Sequence, residues 1–148
     1  MASLDLTGDI ALAVDTAAER GHALVVGYVD DAGYPVTSFR GSTHVHSPTQ
    51  LALWARKQSD GLAKAIVANP QVTLLYFDRE GPGPFFLSVR GKARVAPEAD
   101  DAVYAGMIQG ERDLDPERAG VAVLIDVESV FGAGASGPIQ QTAEEGEA

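Results

Sequence analysis

The segment Trp54-Ala-Arg-Lys-Gln-Ser-Asp-Gly-Leu-Ala-Lys-Ala-Ile-Val-Ala-Asn-Pro70, followed by Gln71-Val-Thr-Leu-Leu-Tyr-Phe77, contains the clearest structural pattern of the chain. Residues 51–54 have the composition of a strand, and Asn69-Pro70 ends a short helical pattern, because the residue before a proline disfavours the helical backbone. The nearly continuous apolar run at 72–77 predicts a strand covered on both faces. The order strand, basic loop, short helix, strand therefore organises the rest of the prediction.

The loop between this strand and this helix is a candidate anion site. It carries Arg56, Lys57 and Ser59 just before the first helical turn. A helix start offers free backbone N–H groups and the positive end of the helix dipole, so backbone, hydroxyl and cationic side chains can hold a phosphate together. The sequence has no strict phosphate-loop pattern, and an ordinary solvated loop with surface cations is an equal alternative.

Composition restricts the class of protein. A chain of 148 residues with 45% hydrophobic content predicts one domain with its own core, and the absence of cysteine excludes thiol catalysis and thiolate metal sites. A formal charge of −10 argues against nucleic acid and anionic membranes as partners. No apolar run approaches the roughly 20 residues that cross a bilayer, and no signal peptide pattern is present, so we expect a cytoplasmic protein.

A local excess of positive charge interrupts this acidic background. Four cations fall within one 25-residue window that holds the single acid Asp60; they are Arg40, Arg56, Lys57 and Lys64. Arg40 ends a predicted strand on the same face as Ser38, where it needs water or an anion to satisfy its charge. These cations predict a positive pocket in an otherwise acidic molecule.

Six strand patterns and three helical patterns follow one another along the chain. Strands are predicted at 23–29, 34–40, 51–54, 72–77, 85–95 and 120–127, with helices at 7–20, 61–69 and 97–108. The strands are mostly joined by hairpins, which predicts an antiparallel barrel with helical caps. The Gly-, Ala- and Glu-rich end predicts a flexible acidic tail at 133–148 after a single domain at 1–132.

The sequence contains no evident protein-borne reaction centre. His44 and His46 lie two residues apart but lack a further set of metal ligands, and no serine lies in a nucleophile elbow. Trp54, the one tryptophan, covers a bound aromatic ring or belongs to the core, with equal weight for each. We therefore expect no catalytic side chain and no metal site, and a helper molecule that supplies the chemistry.

Four segments of the chain resemble the pyridoxamine-phosphate-oxidase-like family of flavin-binding split barrels. The resemblance runs from about residue 23 to residue 131. It rests on Asp31-Ala-Gly-Tyr-Pro-Val-Thr-Ser-Phe-Arg-Gly41, Leu53-Trp-Ala-Arg-Lys-Gln-Ser59, Ala65-Ile-Val-Ala-Asn-Pro-Gln-Val-Thr-Leu-Leu75 and Val89-Arg-Gly-Lys-Ala93. It implies a mainly β fold, namely a six-stranded antiparallel split barrel of Greek-key type with two to three capping helices, which forms a homodimer with FMN between the protomers.

The resemblance also implies a set of cofactor contacts. Along the flavin ring and ribityl chain it places Ser38, Phe39, Arg40, Trp54 and Ala55. Around the phosphate it places the side chains of Arg56, Lys57, Ser59 and Lys64, with backbone N–H groups from Gly61 and Leu62. The opposite protomer would contribute from around Phe86 and Phe131.

The chain departs from this family in two places. Ser59-Asp60-Gly61 stands where the family's oxidases usually have Ser-Arg-Lys, and the end of the chain lacks their Trp-containing substrate motif. These departures argue against vitamin-phosphate oxidation and leave a deazaflavin coenzyme open in place of FMN.

We expect a flavin-dependent oxidoreductase that passes hydride or electrons to an unidentified small molecule. One alternative is a non-catalytic carrier or sensor that binds a flavin, a deazaflavin or haem, the haem version being motivated by His44 and His46. Another is an interaction protein whose pocket is vestigial, as the replaced loop cation suggests.

Overall fold

The computed structural model describes residues 2–143. Its strands are β1 (Ala2–Ser3), β2 (Val25–Val29), β3 (Pro35–Phe39), β4 (His44–Ser47), β5 (Gln50–Ala55), β6 (Gln71–Phe77), β7 (Pro84–Val95), β8 (Val121–Gly134) and β9 (Gly137–Thr142). Its helices are α1 (Asp9–Ala17), α2 (Gly61–Ala68), α3 (Asp100–Gly106), which follows a 3-10 turn at Pro97–Ala99, and the short α4 (Gln109–Arg112). No helix within these residues is long and apolar enough to span a membrane.

One sheet contains all nine strands of the described chain. Its main order is β1-β9-β8-β7-β6-β2-β3, and β8 is long enough to pair along a second edge with β5 through residues 121–126 and with β9 through residues 129–134. All pairs are antiparallel except β1 with β9. Because β3 and β4 do not pair, the sheet curls without closing, which is the predicted split-barrel architecture.

The six predicted strands and three predicted helices are all present. The 4-residue strand β4 lies within residues 41–50, for which the sequence predicts a loop or an irregular strand. Two strands were missed: β1, which is only 2 residues long, and β9, which lies in the segment predicted to be a tail. The prediction of a tail from residue 133 is wrong as far as Thr142, because β8 continues to Gly134 and leaves a free edge that β9 occupies. The rest of that prediction, residues 144–148, lies outside the described residues.

The main core fills the inside of the curled sheet. It includes Val26 of β2, Leu74 of β6 and Leu87 of β7, and helix α1 adds the apolar side chains Ile10 and Val14 to it. A smaller second core lies on the other side of β5 and β8, beneath α3, and consists of Ala52, Trp54, Ala96, Val103, Met107, Ala122 and Leu124. Strand β5 is therefore buried on both faces, which fixes the position of the loop that follows it.

Strand β6 is covered on one face only within this chain, in contrast to the prediction from its apolar run. Val72, Leu74 and Tyr76 point into the core, whereas Leu75 is 45% exposed and Phe77 is 56% exposed. No described element packs over that side of β6, while α3 packs over β5. The apolar run thus predicted the strand correctly and its environment within one chain incorrectly.

Candidate functional site

A cleft of about 230 Å³ opens where β5 ends and α2 begins. It is lined by Arg40, Ala55, Arg56, Lys57, Asp60, Gly61, Leu62 and Ala63. We call this hollow the cation cleft. The loop 56–60 follows directly after the buried strand β5 and forms one side of the cleft. Arg40, at the end of the β2–β3 hairpin, lies on another side. The fold thus brings together six of the eleven residues predicted to bind a cofactor.

Arg40 supplies a half-buried positive charge to this cleft. Its Nε donates a hydrogen bond to Ser38 Oγ at 3.1 Å, and its guanidinium forms no ion pair with any described carboxylate. Burial is the main cause that lowers the pKa of Arg40; Tyr28 and Glu111 act against it, and the charge of Arg56 adds to it. An arginine starts so far above neutrality that it stays charged, so a counter-ion at this place would be favourable.

Arg56 and Lys57 are exposed on the loop beside Arg40. Neither forms an ion pair or a side-chain hydrogen bond with a described residue, in contrast to Arg20, Lys64, Lys92, Arg94 and Arg118, which all pair with carboxylates. The cation cleft therefore holds three positive side chains and one acid, Asp60. Such a set can bind a phosphate through charge-assisted hydrogen bonds.

Asp60 changes the predicted use of the helix start. Its Oδ1 accepts a hydrogen bond from the Gly61 N–H at 2.8 Å, and Asp60 is the N-cap of α2. The Gly61 N–H, predicted to bind a phosphate, is therefore already satisfied, which corrects that assignment. The backbone N–H groups of Leu62 and Ala63 also lie in the first turn of α2. The helix itself supplies no carbonyl acceptor for them, because the residues four positions earlier lie outside it.

The side chain of Trp54 belongs to the core. It is 3% exposed, packs edge-on against Tyr104 with ring centroids 5.3 Å apart, and donates from Nε1 to Asp115 Oδ2 at 2.9 Å. Since residues alternate between the two faces of a strand, Ala55 faces the cation cleft and Trp54 faces away from it. Of the two roles that the sequence left open for Trp54, the structure favours the core.

Four other predicted residues do not line the cation cleft. Lys64 points toward Asp31, with 3.6 Å between Nζ and Oδ2, and lines a separate hollow with the β2–β3 turn. Phe39 is 76% exposed on the face of β3 opposite to Ser38 and Arg40. Ser59 is exposed next to the cleft without lining it, and Ser38 acts on the cleft through its hydrogen bond to Arg40.

The sequence did not indicate that Asp115 and Gln58 form hydrogen bonds next to the loop of the cation cleft. Asp115 is 8% exposed and accepts hydrogen bonds from Trp54, Ala119 and Gly120. Although burial raises the pKa of its carboxyl, these hydrogen bonds and the charge of Arg56 bring that pKa below its usual range. No pattern in the sequence marks this residue, because its partners lie up to 61 positions away.

His44 is enclosed in the structure. Burial lowers the pKa of its imidazole, and Nδ1 lies 2.8 Å from the Ser42 carbonyl oxygen, so the neutral ring donates there. On the other side of the ring, a side chain at Gly106 would collide with Nε2. This enclosure leaves His44 poorly placed for a haem iron. Among residues 2–143 no group of three or more His, Asp or Glu side chains is arranged to hold a metal ion.

An apolar surface covers the outside of the sheet. Cross-strand register aligns Phe39, Val25, Leu75, Ser88 and Phe131 in one row, and Phe77 pairs with Phe86 in the next. The rings of Phe86 and Phe131 meet edge-on with centroids 6.0 Å apart. We call this surface, formed by Phe39, Leu75, Phe77, Phe86 and Phe131, the outer apolar face. Apolar surfaces of this kind commonly mark protein interfaces.

The open sheet, the α2 cap and the cation cleft together define a protein with the split-barrel fold of the pyridoxamine 5′-phosphate oxidase-like proteins. A candidate pyridoxamine 5′-phosphate oxidase from Lactobacillus delbrueckii superposes with a TM-score of 0.60 at 18% identity, covering 88% of this chain and 96% of its own. A Clostridium acetobutylicum protein related to general stress protein 26, of the pyridoxinephosphate oxidase family, gives a TM-score of 0.60 at 15% identity, with coverage of 86% and 90%.

An F420 reductase has the same fold, with a TM-score of 0.56 at 18% identity over 74% of this chain and 88% of its own. No protein-family model and no curated protein sequence matches the chain. At identities of 15% to 18%, these comparisons establish a shared fold.

Proposed function

We propose that this protein binds a phosphorylated flavin, either FMN or a deazaflavin coenzyme, in the cation cleft and uses it as a cytoplasmic oxidoreductase acting on a small molecule. The observation that carries the proposal is the convergence of Arg40, Arg56 and Lys57, none paired with a described carboxylate, in a chain of net charge −10. Three cations that share a cleft with the single acid Asp60 leave an excess of positive charge, which a further anion would neutralise.

The residues present fit a phosphate group. Arg56 and Lys57 are free to bind its oxygens by charge-assisted hydrogen bonds, and the N–H groups of Leu62 and Ala63 lie at the start of α2. Arg40, held by Ser38, places a fixed positive charge in the same cleft. The bound flavin ring would supply the redox chemistry, and the chain contributes binding and orientation.

We propose further that the active form is a homodimer through the outer apolar face. Leu75, Phe77, Phe39 and Phe131 are exposed there as large apolar side chains. A second copy of the chain would cover them and would place its own Phe86 and Phe131 near the site. The exposed apolar side chains provide the physical reason, because their burial between two identical faces would be favourable.

Titration of the purified protein with FMN tests the proposal. We expect quenching of flavin fluorescence with the wild type, and a loss of about 2 to 5 kcal/mol of binding free energy when Arg56→Ala is combined with Lys57→Ala. Arg79→Ala is the control for the loss of an exposed arginine, because Arg79 lies outside the cation cleft, with its Cζ 5.8 Å from the centroid of the Phe85 ring.

A wild type that leaves the fluorescence and absorbance of both FMN and a deazaflavin unchanged would overturn the cofactor proposal. Binding without electron transfer from reduced nicotinamides to the bound ring would instead support the carrier alternative.

A further inference from the structure

Asp115 is a buried carboxylate for which the proposed cofactor chemistry has no use. Its Oδ2 accepts hydrogen bonds from Trp54 Nε1 at 2.9 Å and from the Gly120 N–H at 2.8 Å, and its Oδ1 accepts from the Ala119 N–H at 3.0 Å. These bonds fold the segment 115–120 into a tight turn. They also attach that turn to the end of β5, directly before the loop of the cation cleft.

Gln58 ties the same turn to the loop from the other direction. Its Nε2 donates to the carbonyl oxygens of Ala119 at 2.8 Å and Gly120 at 3.1 Å. The two segments approach so closely that a Cβ at Gly120 would stand 2.9 Å from Arg56 Cα. These five hydrogen bonds, three to Asp115 and two from Gln58, therefore bracket Arg56 and Lys57 on both sides. We call this set, centred on Asp115 and Gln58, the clasp.

Apart from the clasp, the side-chain hydrogen bond that holds this loop within the described chain is the one by which Asp60 caps α2. Residues 56–60 are exposed, and neither Arg56 nor Lys57 has a hydrogen-bond or ion-pair partner among the described residues. A flexible loop would lose much conformational entropy when it becomes ordered around an anion. A loop that is already held in place would lose little. The clasp thus supplies the rigidity that the cations themselves lack.

We infer that Asp115 and Gln58 are positioning residues, which hold Arg56 and Lys57 in the geometry that binds an anionic cofactor. This inference rests on the proposed function of the cation cleft. It adds that occupation of the cleft is coupled to the clasp and therefore to the indole of Trp54, which is bonded to Asp115.

The single tryptophan makes the clasp directly observable. In the full chain, the indole N–H gives one NMR signal that reports its hydrogen bond to Asp115. We expect saturating FMN or inorganic phosphate to shift this signal in the wild type. Gln58→Ala should weaken FMN binding about tenfold, the equivalent of one hydrogen bond to a charged or ordered partner, while the melting temperature changes little because Gln58 is exposed.

Gln109→Ala is the matched control. Gln109 is also an exposed glutamine, but its hydrogen bonds run to Asp113 and Arg112 and not to the loop. This variant should bind FMN as the wild type does.

Two results would overturn the inference and leave the cofactor proposal standing. One is equal FMN affinity of Gln58→Ala and the wild type, and the other is a Trp54 indole signal that does not move when the cleft is saturated. If the wild type binds neither FMN nor phosphate, the proposed function itself fails, and the clasp has no ligand to prepare for.

Discussion

Asp60 serves two purposes that conflict at a single residue. As the N-cap of α2, Asp60 accepts a hydrogen bond from the Gly61 N–H. Its negative charge also interacts favourably with the positive end of the helix dipole. As a carboxylate in the cation cleft it repels the phosphate that Arg40, Arg56 and Lys57 would attract. The helix therefore gains stability at some cost in affinity for an anion.

Asp60→Asn should separate these two effects. Asparagine keeps a side-chain oxygen that accepts from Gly61, so the free energy of unfolding should change by less than about 0.5 kcal/mol. Removal of the negative charge should tighten FMN or phosphate binding about three- to tenfold at low salt, as measured by isothermal titration calorimetry. Glu19→Gln removes an equal charge from an exposed position two residues beyond α1 and should leave affinity unchanged. Weaker binding by Asp60→Asn would contradict this account of the cleft.

Asp115 should make stability depend on pH in the acid range. Although burial opposes it, hydrogen bonds from Trp54, Ala119 and Gly120 and the charge of Arg56 bring the pKa of its folded-state carboxyl below the usual value. A group whose folded pKa is lowered stabilises the protein fully above its unfolded pKa of about 3.9, and this contribution is lost as the pH falls through the folded value.

Asp115→Asn should cost about 1 to 3 kcal/mol of unfolding free energy near neutral pH, because one of the three N–H donors then faces an NH₂ group. The difference between wild type and variant should shrink below about pH 4. Urea unfolding followed by Trp54 fluorescence measures the free energy of unfolding of both proteins at neutral and at acid pH. Asp113→Asn, at an exposed neighbouring carboxylate, is the control. A difference that stays constant from neutral pH to about pH 3 would show that the charge of Asp115 does not matter.

At the scale of elements, the sequence predicted where the strands are better than what covers them. The strand predicted at 85–95 is β7, and the alternation of Arg90, Lys92 and Arg94 with Val89 and Ala93 in the sequence matches its exposed and buried faces. The continuous apolar run of β6 was interpreted as buried on both faces, but burial depends on which helix packs over a strand, and α3 packs over β5. Strand β9 was missed because its pairing depends on the free edge of β8, a feature of the folded sheet alone.

The approach of β5 to the start of β8 depends on a glycine. A Cβ at Gly120 would collide with the Ala55 carbonyl oxygen and would lie 2.6 Å from Trp54 Nε1. Gly120→Ala should therefore cost about 1 to 3 kcal/mol by forcing the two segments apart, and it should weaken the Trp54–Asp115 hydrogen bond.

Thermal unfolding and the position of the Trp54 emission maximum test this prediction. Gly110→Ala is the matched control, since a Cβ at Gly110, within the short helix α4, meets nothing within 4 Å. That substitution should be neutral or should stabilise by up to about 1 kcal/mol. Equal stability of the two variants would indicate that the close approach is not maintained in solution.

At the scale of the molecule, the cation cleft was largely predictable and the surfaces around it were not. Arg40, Arg56 and Lys57 stand out in an acidic sequence, and the fold gathers them. Lys64 belonged to the same window of sequence, but its position on α2 turns it toward Asp31. The clasp could not be predicted from the sequence, because its hydrogen bonds from Trp54 to Asp115 and from Gln58 to Gly120 join positions more than 60 residues apart.

The outer apolar face gives the prediction that involves the whole molecule. Leu75 lies in the middle strand of that face, with Val25 on one side and Ser88 on the other, and its side chain is 45% exposed in one chain. If two copies bury this face, the wild type should sediment with twice the chain mass of 15.5 kDa. Leu75→Glu would place an unpaired carboxylate in the contact, at a cost of several kcal/mol, and should yield a monomer.

The monomer should keep its fold, because the substituted side chain does not belong to the core, but it should lose FMN affinity if the partner completes the site. Leu12→Glu on α1 is the control, since Leu12 is similarly exposed and lies outside the outer apolar face. Sedimentation velocity with and without FMN measures both effects. A wild type that stays monomeric at all concentrations, or a Leu75→Glu variant that remains a dimer with full FMN affinity, would show that copies of this chain do not meet through β6.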